Sequence, residues 1–153
     1  MSPTIVDYAP PHRNAFRDLN LEWIERYFTV EESDRVMLDD PESTIIARGG
    51  NIFVALDEGT VAGVCSLMPA GSNSWQLAKM AVSPSAQGRG IGRLLGSAAI
   101  EYARRHGAVQ VELFSNTVLA PAIGLYRSLG FIEAPLEGAE HERSNIRMVL
   151  KID

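Results

Sequence analysis

Three glycines set between a strand-like run and the most regular helical stripe of the chain restrict its fold more than any other feature. The segment Ser83-Pro84-Ser85-Ala86-Gln87-Gly88-Arg89-Gly90-Ile91-Gly92 follows a candidate strand ending at Val82. Beyond it, Ile91, Leu94, Leu95, Ala98, Ala99, Tyr102 and Ala103 recur at i, i+3, i+4, i+7, i+8, i+11 and i+12, one face of an amphipathic helix that Gly107 stops. Val109 to Ser115 then reads as another strand. A strand, a glycine turn, a helix and a second strand form a crossover unit of right-handed sense.

The remaining segments supply partners for that unit. A short strand is predicted at Ile5–Tyr8, and a helix over His12–Thr29 with Phe16, Leu19, Trp23, Tyr27 and Phe28 as its apolar face. An acidic helix from Glu31 to Leu38 stops at Asp40-Pro41, because proline disfavours helical geometry in the residue before it. Ile52–Leu56 and Val61–Met68 flank Asp57-Glu58-Gly59 as a β-hairpin, and Trp75–Val82 is a further strand whose two faces are poorly polarised. Pro121 opens a helix carrying Ala122, Leu125, Tyr126 and Leu129, which Gly130 ends, and strands follow at Phe131–Ala134 and Ile146–Ile152. The order implies an α/β fold with parallel and antiparallel pairing in one sheet. With 153 residues, 46% of them hydrophobic, the expectation is one domain over 1–153.

Charge and cysteine usage narrow the function classes. Fourteen basic against nineteen acidic side chains give a net charge of −5, so the broad attraction behind nucleic-acid binding is missing. Cys65 is the single cysteine, and no Cys/His cluster has zinc spacing, so neither a disulfide nor a metal site is expected. No secretory pattern opens the chain and no apolar run approaches the ~20 residues of a membrane span. No membrane association and a cytoplasmic location are the corresponding expectations.

The glycine segment carries the chemistry. Glycines let backbone N–H groups converge, and the following helix adds its unpaired N-terminal N–H groups and the positive end of its dipole, a combination that binds phosphate. The spacing does not match G-x-G-x-x-G, and no Lys-Ser or Lys-Thr follows the glycines as a nucleoside-triphosphate loop requires. Read as Gln-x-x-Gly-x-Gly, Gln87 to Gly92 resembles the pyrophosphate loop of the GNAT superfamily of acyl-CoA-dependent N-acyltransferases. Lys79 to Pro84 resembles the strand end before that loop. Asn116, Pro121-Ala122-Ile123, Leu125-Tyr126 and Leu129-Gly130-Phe131 resemble the family's next strand-to-helix region, so specific matches cover about Asn51 to Phe131.

The resemblance implies a GNAT-like mixed central sheet with N-terminal helices bordering the acceptor site, splayed parallel strands, and a phosphate-binding loop leading into a long helix. It implies acetyl-CoA as cosubstrate, its pantetheine arm between Lys79–Val82 and Val111–Asn116, with Met80, Ala81 and Val82 as contacts. It gives the pyrophosphate to Gln87, Gly88, Arg89, Gly90, Ile91 and Gly92, and leaves Arg93 as a solvated helix residue. Tyr126 falls where the family commonly places a general acid for the departing thiolate. Asn116 is carried over as a cofactor contact, although ten positions separate it from Tyr126, more than in many relatives, which leaves its role open.

An alkylamine is only about one part in a thousand neutral near pH 7.4, so a proton acceptor is needed. The glutamate that some relatives carry is missing from Trp75–Val82. Glu112 is the nearest carboxylate on the neighbouring strand, Glu22 and Glu25 lie on the first helix, and a water chain is an equal contender. His141 opens a tail segment, through Met148, that resembles a closing segment of some bacterial members, which usually have an aromatic residue there. His12 and His106 read as surface histidines. The implied activity is acetyl transfer from acetyl-CoA to a small-molecule, protein or peptide amine by direct attack, with homodimerisation left open. The rival reading is a non-catalytic acyl-CoA sensing module acting through a protein partner.

Overall fold

The computed structural model describes residues 3–137 and 143–152. Strands β1 (Thr4–Asp7), β2 (Asn51–Asp57), β3 (Thr60–Pro69), β4 (Ser74–Val82), β5 (Gln110–Ser115), β6 (Ile132–Ala134) and β7 (Ile146–Lys151) form one sheet in the order β1-β2-β3-β4-β5-β7-β6. Neighbours are antiparallel except β4 and β5, which are parallel. Helices α4 (Ile91–Arg105) and α5 (Ala120–Ser128) contribute Leu95, Ala99, Ala103 and Ile123 to a core with Phe53, Leu67, Leu77 and Val111 of the sheet. On the other face α1 (Arg13–Tyr27) and α2 (Glu32–Asp39) bring Phe16, Ile24 and Leu38 against Ile52, Val54, Val64 and Ala81. Strand β2 alternates between these two cores, so its near-continuous apolar run follows from burial on both faces.

Two local expectations change. The buried residues of α1 are Phe16, Asn20 and Ile24, and Tyr27 is exposed, which rotates the face inferred from the aromatic residues. Asn20 tolerates burial because its Nδ2 donates to the Phe16 carbonyl at 2.9 Å. At Asp40-Pro41 the chain stops one helix and starts another. Asp40 leaves helical geometry (φ −145°, ψ 68°), and its carboxylate accepts from the Ser43 N–H at 3.3 Å, capping α3 (Pro41–Thr44). Proline bars the preceding residue from the helix but suits the first turn of the next one.

The poorly polarised strand has a specific cause. Opposite Cys65 of β3, strand β4 places two residues, Lys79 and Met80, because the register runs from Ser66↔Ala78 to Val64↔Ala81. This is a β-bulge, with Lys79 at φ +53°. Trp75 and Leu77 face the α4 core before it, and Met80 and Val82 face that core after it. The inserted residue reverses the alternation of side chains, and the even–odd pattern of the sequence therefore changes sign in mid-strand.

Before the bulge is reached, β4 and β5 part. Their parallel register holds for Ser74↔Gln110, Trp75↔Val111 and Gln76↔Glu112. After that β4 continues against β3, while β5 continues against β7 through Leu113↔Met148 to Ser115↔Ile146. A cleft opens in the sheet between the C-terminal ends of the two strands, lined by backbone edges that need outside partners.

Candidate active site

Two concavities meet at that cleft. A groove of about 420 Å³ runs over the glycine segment and between α4 and α5, lined among others by Ala81, Gln87, Gly88, Gly90 and Leu125. A smaller cavity of about 150 Å³ lies on the α1 side, lined among others by Asn20, Phe28, Met68, Leu77 and Lys79. Trp23, Met80, Ser115, Leu119 and Tyr126 line both and mark their junction.

The three glycines of the loop serve different needs. Gly88 (φ +80°) and Gly90 (φ +78°) hold left-handed backbone, and a Cβ on either meets nothing within 4 Å among the described residues. Gly92 has its own reason, since a Cβ there would come 3.0 Å from Leu125 Cδ2, where α4 approaches α5. No side chain caps α4, and Leu94 is the first residue whose N–H bonds back to Gly90 O, at 3.1 Å. The N–H groups of Ile91, Gly92 and Arg93 at the helix start therefore remain for a ligand, and the turn around Gly88 and Gly90 leaves room for a pyrophosphate. We expect Gly90→Val to cost about 1–2 kcal/mol of stability through the left-handed backbone and to weaken acetyl-CoA binding. Calorimetric affinity of the folded variant checks this, and an unchanged affinity makes the glycine a turn residue only.

The arginines exchange the positions inferred from sequence. The Arg89 guanidinium is ion-paired with Asp57 at the β2–β3 turn, and Arg89 is not part of the groove lining. Arg93 does line it, and its Nη1 donates to Ser128 Oγ at 2.6 Å. Gln87, Gly88, Gly90, Ile91 and Gly92, with Met80, Ala81 and Val82, are groove residues. Asn116 borders the smaller cavity instead. Its Nδ2 donates to the Arg143 carbonyl at 2.7 Å and its Oδ1 accepts from the Val118 N–H at 2.9 Å, so both ends of the amide hold backbone.

Tyr126 stands at the junction of both concavities, with its ring edge toward Phe131 (centroids 6.1 Å apart). Burial pushes its phenol up to about 12, with the Cys65 side chain adding to the rise, so the hydroxyl stays protonated at neutral pH. The candidate base Glu112 is not brought there. Its carboxylate accepts from Arg147 Nε at 2.9 Å, and it lines neither concavity. Glu22 and Glu25 are exposed on α1 and line neither. Among the described residues no carboxylate borders the junction. His106 stacks on Tyr102 at 4.0 Å, the His12 ring accepts from the Ala9 N–H at 3.0 Å, and His141 lies outside the described residues.

A buried ion network beside the smaller cavity was not foreseen. The fully buried Asp34 carboxylate accepts from Lys79 Nζ at 2.7 Å, from Arg143 Nη2 and Nη1 at 2.6 and 2.8 Å, and from the Glu31 N–H at 2.9 Å. Arg143 Nη1 also reaches Glu31 Oε2 at 3.2 Å. Burial alone would raise the Asp34 carboxyl, but the hydrogen bonds from Arg143, Lys79 and Glu31 outweigh it and hold the group well below the usual carboxylate range. Through Asp34, the start of α2 is joined to the bulge of β4 and to the segment before β7. In sequence, Glu31-x-x-Asp34 shows only the spacing of a helix-capping pair, and the positive φ that turns Lys79 toward it leaves no local mark.

A model of the acetyltransferase (GNAT) family matches residues 17–131. N-acetyltransferase 8 of Rattus norvegicus is 30% identical over 100 residues, which cover 62% of this chain and 45% of the relative. The chain spans about half the length of the curated relatives it matches. Among solved structures, a GNAT-family acetyltransferase from Staphylococcus aureus superposes with a TM-score of 0.89 at 18% identity, covering 99% of this chain and 100% of that one. The PaiA N-acetyltransferase from Thermoplasma acidophilum, solved in complex with coenzyme A, gives a TM-score of 0.77 at 16% identity, with 99% and 100% covered. These two likenesses concern the fold.

Proposed function

The chain belongs to the GNAT family of acetyltransferases, and from that premise we propose that it moves the acetyl group of acetyl-CoA onto a primary amine by direct attack in a ternary complex. The observation that carries this reading is the junction at Tyr126, where a groove over an uncapped helix N-terminus meets a separate cavity through the cleft between β4 and β5. The groove takes the nucleotide end, with the pyrophosphate on the N–H groups of Ile91 to Arg93. The backbone edge of Met80–Val82 takes the pantetheine amides as a neighbouring strand would. The smaller cavity takes the amine.

Bound acetyl-CoA supplies an activated thioester, whose acyl carbon bonds to the amine nitrogen as its bond to sulfur breaks. Tyr126 donates its phenolic proton to the departing sulfur, a role that suits a group still protonated at neutral pH. Among the described residues no carboxylate borders the junction, and water is the acceptor for the amine proton in this reading. Cys65 does not serve as a covalent carrier. It is fully buried, its Sγ lies 3.8 Å from the Leu95 carbonyl, and burial pushes the thiol up, away from the reactive thiolate.

Acetyl-CoA is expected to stabilise the fold. At a hundred times its Kd the linkage is about 2.7 kcal/mol, or about 5–10 °C in Tm for a chain of this size. Calorimetric titration and thermal melts, with NAD and ATP as controls, check this. Absence of acetyl-CoA and CoA binding at millimolar concentration overturns the reading. Binding without acetyl-CoA consumption across a broad amine panel turns it toward a non-catalytic acyl-CoA sensor.

A further inference from the structure

The charges around the smaller cavity are ordered. Among the described residues, the charged side chains on its wall are Lys79 and Arg143, both cationic. Among the described residues, the carboxylates that pair with them, Asp34 and Glu31, are not part of that wall. Asp34 is fully buried, so its negative charge is presented through the two cations that contact it. An occupant therefore meets the positive end of a fixed charge pair. The remaining wall is largely apolar, including Phe28, Met37, Met68 and Leu77.

Resting on the acetyl-transfer reading above, we propose that the acceptor is an amine bearing a carboxylate and an apolar substituent, seated with its carboxylate against Arg143 and Lys79. The guanidinium is preorganised for this. Asp34 holds it in a bidentate pair, Glu31 adds a contact at 3.2 Å, and the Phe28 ring centroid lies 6.0 Å from its central carbon. Among the described residues nothing accepts from the Arg143 Nε–H, which leaves a donor for a further carboxylate oxygen. Asp34 and Glu31 act as positioning residues. Without them the two cations would repel each other, and Arg143 would lack a fixed orientation.

The same arrangement bears on the amine. Cations beside the pocket disfavour an ammonium group and lower its proton affinity, which raises the neutral, nucleophilic fraction. A simple alkylammonium enters this field at a cost, whereas a carboxylate on the acceptor compensates the charge it meets. A cavity of about 150 Å³ accepts a side chain of roughly benzene size.

Matched acceptors test the assignment without altering the protein. Phenylalanine, phenylalaninamide and phenethylamine share a ring and a primary amine, and only the first carries a carboxylate. Phenylalanine is expected to exceed the other two in kcat/KM by about tenfold or more, the usual worth of a hydrogen bond to a charged group. Arg143→Lys keeps a cation for Asp34 and removes the planar fork. It should raise KM for phenylalanine severalfold and shrink the preference, with acetyl-CoA affinity unchanged. Equal or better turnover of phenethylamine, or a preference that survives in the variant, overturns the proposal. Turnover of none of the three while acetyl-CoA still binds also overturns it and leaves the cofactor reading standing. Failure to bind acetyl-CoA removes the reading beneath both.

Discussion

Tyr126→Phe is expected to lower kcat by about 10²–10⁴-fold, equivalent to roughly 3–5 kcal/mol of barrier. The change deletes one hydroxyl and keeps the ring that packs against Phe131, so stability and acetyl-CoA affinity should change little. Burial, which pushes the phenol up to about 12, keeps it a proton donor at neutral pH. A purely structural tyrosine would show the reverse pattern, with a lower Tm and nearly intact turnover per folded molecule. Both quantities are measured on one preparation with any accepted amine. Where product release limits turnover, a single-turnover experiment exposes the chemical step. A rate within twofold of the parent in that step assigns the proton to water.

Asp34→Ala should be the most destabilising single change at the site. It leaves Lys79 and Arg143, whose side chains are 5% and 17% exposed, without the carboxylate that contacts both. Breaking a buried pair in this way costs about 3–5 kcal/mol, or about 10 °C in Tm, read by thermal or denaturant melts. Asp34→Leu combined with Lys79→Met should recover part of that loss, because it removes buried charge on both sides. The pH dependence follows from the depressed Asp34 carboxyl. Its contribution is full above the unfolded carboxylate value near ~4 and is lost as pH falls from there through the lower folded value. Denaturant melts between pH 7 and pH 3 should therefore show the parent losing stability while the Leu/Met double variant loses less. Equal slopes would remove Asp34 as the cause.

The crossover unit was legible because its causes are local. The stripe from Ile91 to Ala103 has one period, Gly107 ends it, and Gly88 and Gly90 mark backbone that only glycine adopts easily. The match of Gln87–Gly92 to a pyrophosphate loop needed no tertiary information. The hairpin turn and the helix with Pro121 in its first turn were also legible, since turn residues act on their immediate neighbours.

What sequence alone could not carry was set by distance along the chain. The bulge at Lys79 depends on how Cys65 of β3 faces two residues of β4, and a period-two pattern has no symbol for an inserted residue. Glu112 was a reasonable base until Arg147, 35 positions away, claimed its carboxylate. Arg89 and Arg93 exchanged places because Asp57 and Ser128 compete for them from other elements. Behind the wall of the smaller cavity, Asp34 is joined to Lys79 and to Arg143, 45 and 109 positions away. Local residue type determined the elements and the glycine turn before α4, because helix periodicity, turns and caps act over a few residues. Only the tertiary structure decided which charges line the smaller cavity, because a buried ion pair forms where folding removes water from groups that the chain keeps far apart.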